Sequence, residues 1–209
     1  LLVPIGLLLA VTIIACASAT QWVPIATPPD GFAMGPTTTN YTLEVFYDHL
    51  CSDSAAAWPG LYQYWQQNQD WLQLVIHIHP LPYHYYAFIV GVAGRFIQLN
   101  YPQNFTDFVT WMFAHQDKYL DTALYWNLAT IKSNLATDTQ TATGAPFGQV
   151  ANALNNNAYY YDLGVSTTYA FTRGITGTPQ YLINGIWSPD ATTCETPGDW
   201  TNLFQAIKS

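Results

Sequence analysis

The chain has 209 residues, 5 basic against 13 acidic, a formal net charge of -8, and is 50% hydrophobic yet only 9% charged. That length suits one domain with an ample core, and an aromatic content of 16% argues against disorder. Arg95, Lys118, Lys132, Arg173 and Lys208 are scattered singly, so the clustered cations that nucleic-acid binding demands are missing and no nucleic-acid partner is expected.

Residues 1–19 are apolar throughout and end in Ala17-Ser18-Ala19, which reads as a secretory signal peptide cleaved before Thr20. The segment lacks a Met and a basic flank, so the natural start is expected upstream. A retained anchor and a lipoprotein box around Cys16 are the competing readings, whereas no later stretch is apolar enough to span a bilayer. The sequons Asn40-Tyr41-Thr42 and Asn104-Phe105-Thr106 favour a secreted or lumenal glycoprotein, with Asn40 and Asn104 as acceptors. After cleavage only Cys51 and Cys194 remain, too few for a disulfide framework.

Residues 20–40 are rich in Pro, Gly and Thr without periodicity and read as an extended leader. A buried strand is expected over 41–48, then a helix capped by Ser52, Asp53 or Ser54 running to about Gln69, kinked at Pro59. A second strand over 71–79 should lie parallel to the first, since a helix joins them. Residues 84–172 read as helices near 84–99, 104–116, 120–135, 147–155 and 158–172, with the polar run Thr137 to Gly144 as a break. Asn184-Gly185 then turns a hairpin over 180–188, and a helix from about Gly198 to Lys208 closes the chain.

This order, with Phe46-Tyr47-Asp48-His49-Leu50-Cys51-Ser52-Asp53-Ser54 and Gly174-Ile175-Thr176-Gly177-Thr178-Pro179, resembles the thioredoxin-like fold superfamily. The long helical insertion makes it similar to the DsbA-like branch; Trp58-Pro59 and Pro80-Leu81-Pro82-Tyr83-His84 resemble eukaryotic secreted thioredoxin-like proteins of uncertain function. The resemblance implies an α/β thioredoxin-like domain over 41–208 with an insertion over about 84–172. It makes Cys51 the nucleophile at a helix N-terminus, where unpaired N–H groups favour thiolate, with protonated His49 as a further positive charge. It also makes Thr178-Pro179 a cis-proline loop that binds extended substrate. Ser54 stands where the family has its resolving Cys, so self-contained dithiol cycling is unavailable and monothiol chemistry remains, with Ser54 as a hydrogen-bond donor to the thiolate. Within that fold the hairpin should return residues 189–196 towards Cys51, where a Cys51–Cys194 disulfide would either lock the nucleophile away or supply a distal resolving thiol.

His77 and His79 share a strand face and His84 follows, yet without an obvious acidic or Cys partner they read as packing or hydrogen-bonded histidines, not metal ligands. No cofactor or metal is called for. Two functions follow: a monothiol oxidoreductase or isomerase acting on protein or peptide thiols and disulfides, and a non-enzymatic extracellular module that binds partners or self-associates. Low charge and many Tyr and Trp favour the second, the resemblance the first.

Overall fold

A computed structural model describes residues 29–120 and 125–209. The signal-peptide, anchor and Cys16 readings, most of the leader, and residues 121–124 lie outside the described residues. Among the described residues no helix is long and apolar enough to cross a membrane.

One sheet organises the fold. Strands β1 (Phe32–Met34), β2 (Tyr41–Tyr47), β3 (Leu72–Ile78), β4 (Gln180–Ile183) and β5 (Ile186–Trp187) lie in the order β1-β3-β2-β4-β5. Helix α1 (Ser52–Asn68) joins β2 to β3, which pair in parallel with Leu43 opposite Leu74 and Val45 opposite Ile76. β4 runs antiparallel to β2 on its other side, so the hairpin lies beside the first strand. Alternation along β2 sends Leu43, Val45 and Tyr47 into the main core, and Glu44 and Phe46 to the opposite face. Between β3 and β4 come α2 (Ala87–Asn100), α3 (Phe105–Ala114), α4 (Leu128–Thr143), α5 (Phe147–Ala153) and α6 (Asn157–Thr172), and among the described residues this insertion holds no strand. α7 (Pro197–Lys208) closes the chain behind a capping box between Thr196 and Asp199.

Three sequence expectations need correction. Part of the expected leader is strand β1, a sheet edge too short to show periodicity; Gly31, at φ 95°, brings it in where a Cβ would meet the Val75 and His77 side chains. The first-turn polar residues do not cap α1, which runs on past Pro59 to Asn68 as expected, because Cys51 itself occupies the cap position and makes no side-chain capping bond. The run from Thr137 continues α4, since Thr137, Thr141 and Thr143 donate to carbonyls four residues back and buried Asp138 accepts from Lys118 and Tyr119; Gly144, at φ 75°, ends it.

α7 packs on α1 through Trp200 and Phe204, both stacked on Tyr64. The segment before α7 crosses α1 so closely that a Cβ on Gly60 would sit 1.9 Å from the Glu195 carbonyl oxygen. Backbone cannot yield as a flexible side chain does. Gly60→Ala is therefore expected to destabilise by about 2–3 kcal/mol despite the better helix propensity of Ala, seen as a lower urea midpoint at unchanged slope.

The face opposite α1 buries a charged network. His77 Nδ1 lies 2.8 Å from Asp30 and Nε2 3.1 Å from Glu44, while the ring stacks on Phe46 at 4.4 Å. Ser166 donates to Asp30, Tyr169 donates to Glu44, and Arg95 stands 3.9 Å from Asp30. Burial opposes charge on all three central groups, but the mutual pairing prevails: His77 is raised, and Asp30 and Glu44 are lowered, from their ordinary values. The His77 contribution is thus complete below its unfolded value of about 6.5 and lost as pH rises through its raised folded value. The carboxylates contribute above their unfolded values and lose that contribution as pH falls through their lowered folded ones. His77→Gln should destabilise by about 3–5 kcal/mol, because two carboxylates stay buried without their cation. The gap from wild type in melts across pH should be widest between about pH 5 and about pH 6 and narrow towards alkaline pH.

Candidate functional site

The C-terminal ends of β2 and β3 converge on the first turn of α1. Strand β2 ends at Tyr47, the chain turns through Asp48-His49-Leu50, and Cys51 starts the helix with φ -81° and ψ 124°. The turn is closed by the Cys51 N–H donating to the Asp48 carbonyl at 3.1 Å, and Gln116 from the insertion donates to the carbonyls of His49 and Cys51. Cys51 is 6% exposed, and its Sγ donates to the Thr178 carbonyl oxygen at 3.2 Å. The Thr178-Pro179 bond is cis, and Gln180 holds the loop by accepting from the N–H groups of Thr176 and Gly177. Cys51, Thr178 and Pro179 are thus assembled from sequence positions 127 or more residues apart.

The remaining sequence candidates separate. Ser54 is fully buried and its Oγ has no hydrogen-bond partner, so it does not bond the Cys51 sulfur; one helical turn carries it into the core. His49 is not a cation beside the thiol: buried against Phe108 and Phe113, with no carboxylate partner, it is pushed down to about 3 by burial. His79, equally unpaired, is pushed down to about 4 by burial. The Cys51–Cys194 disulfide is not formed, and both thiols are free and buried. The reason is geometric. Glu195, next to Cys194, lies against Gly60, which at about 1.5 Å per residue is about 14 Å along α1 from Cys51, whereas a bridge needs α-carbons within about 7 Å. Cys194 instead faces the Asp190 carbonyl at 3.7 Å and is pushed up to about 11 by burial and by Asp199 and Asp190. Asn40 is exposed just before β2, and Asn104 stands half-buried at the start of α3, making no side-chain capping bond.

Two carboxylate–imidazole pairings escaped the sequence reading, which saw no acidic partner for the histidines. One is the network around His77. The other is at the site itself. The fully buried Asp48 carboxylate accepts from the N–H groups of Leu50 at 2.8 Å and Leu81 at 2.9 Å, and pairs with His84 Nδ1 at 2.7 Å. Burial raises its pKa, and these three bonds only partly offset that. Tyr83, highly exposed, stands close enough to feel Cys51, Asp48 and Asp53, which raise its hydroxyl after slight burial. The clue in sequence was register: Tyr47 opposite Ile78 brings Asp48 beside the Pro80-Leu81-Pro82-Tyr83-His84 stretch. Among the described residues no group of three or more His, Cys, Asp or Glu could hold a metal. Away from Cys51, a groove of about 790 Å³ between α1 and α3 is lined by Trp58, Tyr62, Thr110, Trp111 and His115 among others.

No protein-family model and no curated protein matches the chain. Solved structures do. A provisionally assigned protein-disulfide isomerase of Pseudomonas syringae is 19% identical, with a TM-score of 0.70 over 83% of this chain and 97% of that one. BdbD of Bacillus subtilis is 14% identical, with a TM-score of 0.67 over 86% of this chain and 94% of that one. The α-DsbA1 protein of Wolbachia pipientis is 12% identical, with a TM-score of 0.66 over 86% of this chain and 90% of that one. Together with the strand order, the helical insertion and the cysteine at the start of α1, these likenesses establish that the chain has the DsbA-like form of the thioredoxin fold.

Proposed function

We propose that this chain is a monothiol thiol-disulfide oxidoreductase or isomerase of DsbA-like type, acting on protein or peptide thiols and disulfides in a secreted or secretory-lumenal setting. The observation that carries the reading is the Cys51 sulfur at the start of α1, held against the Thr178 carbonyl beside Pro179. In this arrangement Cys51 attacks a substrate disulfide and the Thr178-Pro179 backbone lines up an extended peptide. With Ser54 buried and the segment after Cys194 packed against the middle of α1 at Gly60, the mixed disulfide is resolved by a thiol from outside the chain. Asn40 and Asn104 would carry glycans in that setting.

A second reading is supported by a different observation. Cys51 is only 6% exposed, while Tyr83, Tyr85, Tyr161, Ile186 and Trp187 are exposed and an aromatic groove runs between α1 and α3. On that reading the chain is a non-enzymatic binding or assembly module on a thioredoxin-like scaffold.

Exposure of the native protein to oxidised glutathione separates the two. The oxidoreductase reading expects one adduct per chain, mapped to Cys51 by mass and absent in Cys51→Ala; a Cys51 thiol that stays unmodified until the protein is unfolded supports the binding module. Independently, non-reducing peptide mapping should recover Cys51 and Cys194 as separate free thiols. Cys194 should resist alkylation until denaturant is added, since its buried thiol is held protonated.

A further inference from the structure

We infer that the Asp48–His84 pair is the proton-transfer device for the external thiol that resolves the Cys51 mixed disulfide, with His84 the general base and Asp48 the residue that positions it. This rests on the monothiol reading of Cys51. A chain that keeps its resolving cysteine in the same helix turn has a second thiol already placed. Here Ser54 stands in that turn, so the incoming thiol arrives protonated from solvent, and near neutrality only a few per cent of an ordinary thiol is thiolate. A base at the site would make up that deficit.

The geometry of the pair suits the task. Asp48 Oδ2 accepts from His84 Nδ1 at 2.7 Å, while its other oxygen accepts from the Leu50 N–H and the Asp48 carbonyl accepts from the Cys51 N–H. Asp48 therefore ties the imidazole, through its carboxylate and its backbone carbonyl, to Leu50 and Cys51 at the start of the helix. Asp48 has no exposed side-chain surface, whereas His84 keeps 19% of its side chain exposed, so the pair is anchored at one end and open at the other. With Nδ1–H given to Asp48, the neutral ring presents the lone pair of Nε2, which no protein group bonds among the described residues. The groups facing this imidazole are Asp48, just after β2, and Tyr83, whose ring meets it edge-on at 4.8 Å; the Tyr83 hydroxyl in turn stands close enough to Cys51 and Asp53 to feel their charge. Burial pushes His49 down to about 3 and His79 down to about 4, and neither ring has a carboxylate partner among the described residues, whereas His84 has Asp48.

The step balances. The external thiol gives its proton to His84 Nε2, and its sulfur attacks the substrate-side sulfur of the Cys51 mixed disulfide. A new disulfide forms between the external thiol and the substrate; the bond to Cys51 breaks with its electron pair on Sγ, and His84 returns the proton. The external thiol is oxidised and Cys51 is reduced.

The experiment loads Cys51 with glutathione, confirms the adduct by mass, and follows its removal by reduced glutathione from about pH 5 to about pH 9 in wild type and His84→Gln. Wild type should exceed the variant by at least about tenfold near neutrality, and the variant should show only the ionisation of the attacking thiol. Superimposable profiles overturn the role of His84 while leaving Cys51 chemistry intact; failure of wild type to load overturns the monothiol reading as well. A measurement on wild type alone covers the case of a variant that does not fold. Resolution in heavy water at neutrality should be slower than in water if the imidazole takes the proton in the transition state, and an equal or faster rate, the mark of a preformed thiolate, overturns the proposal.

Discussion

The buried carboxylate of Asp48 is the constraint on which the site depends. A carboxylate with no exposed surface must find donors, and Asp48 finds them in the Leu50 N–H, the Leu81 N–H and His84. Those three donors belong to the turn that starts α1, to the segment after β3 and to the approach to α2. A single buried residue thus sets the relative placement of Cys51 and the His84 imidazole. The Thr178-Pro179 loop reaches the same point through β4, whose pairing with β2 is anchored by Val45 opposite Tyr181.

The two faces of the sheet solve different problems. The face towards α1 is filled by Leu43, Val45, Tyr47 and the aromatic residues of α1 and α7, a dry core that holds the helix bearing Cys51 at a fixed height. The opposite face carries Glu44 and His77 on neighbouring strands, with Asp30 closing over them from the segment before β1. A buried ion network of this kind contributes little net stability compared with apolar residues of the same volume, but breaking it leaves uncompensated charge. Its effect is to fasten the N-terminal segment and α6 to the same face through Asp30, Ser166 and Tyr169.

The chemistry around Cys51 follows from what the helix turn does to neighbouring positions. Three residues on from an N-cap lies almost a full turn of helix, and in this chain that position points into the core, where Ser54 contacts neither sulfur nor solvent. The hydroxyl is thus a filler of the space that a second thiol would occupy in a dithiol site. Cys194 answers no better, because the strand hairpin returns the chain against the middle of α1 at Gly60 and not against its start. Among the described residues the sulfur of Cys51 has one hydrogen-bond partner, the Thr178 carbonyl.

Local pattern alone determined the strands over 41–48 and 71–79, the helix after Cys51, the Asn184-Gly185 turn and the helical character of 84–172, because β-branched runs, helical spacing and turn residues act through near neighbours. Order and connection then specified the parallel pairing and the position of Cys51 at a helix start. Strand β1 was hidden, since three residues show no period and Phe32 is held by Phe105, far away in sequence. The polar stretch of α4 misled for a related reason: its Thr and Asp residues are satisfied by the helix backbone and by Lys118 and Tyr119. Only the tertiary structure decided that Asp48 meets His84, that Asp30 and Glu44 clasp His77, and that the Glu195 backbone crosses α1 at Gly60 while Cys194 faces the Asp190 carbonyl. A buried charge chooses its partner by the three-dimensional approach of strand ends and loops, and no periodicity along the chain encodes that distance.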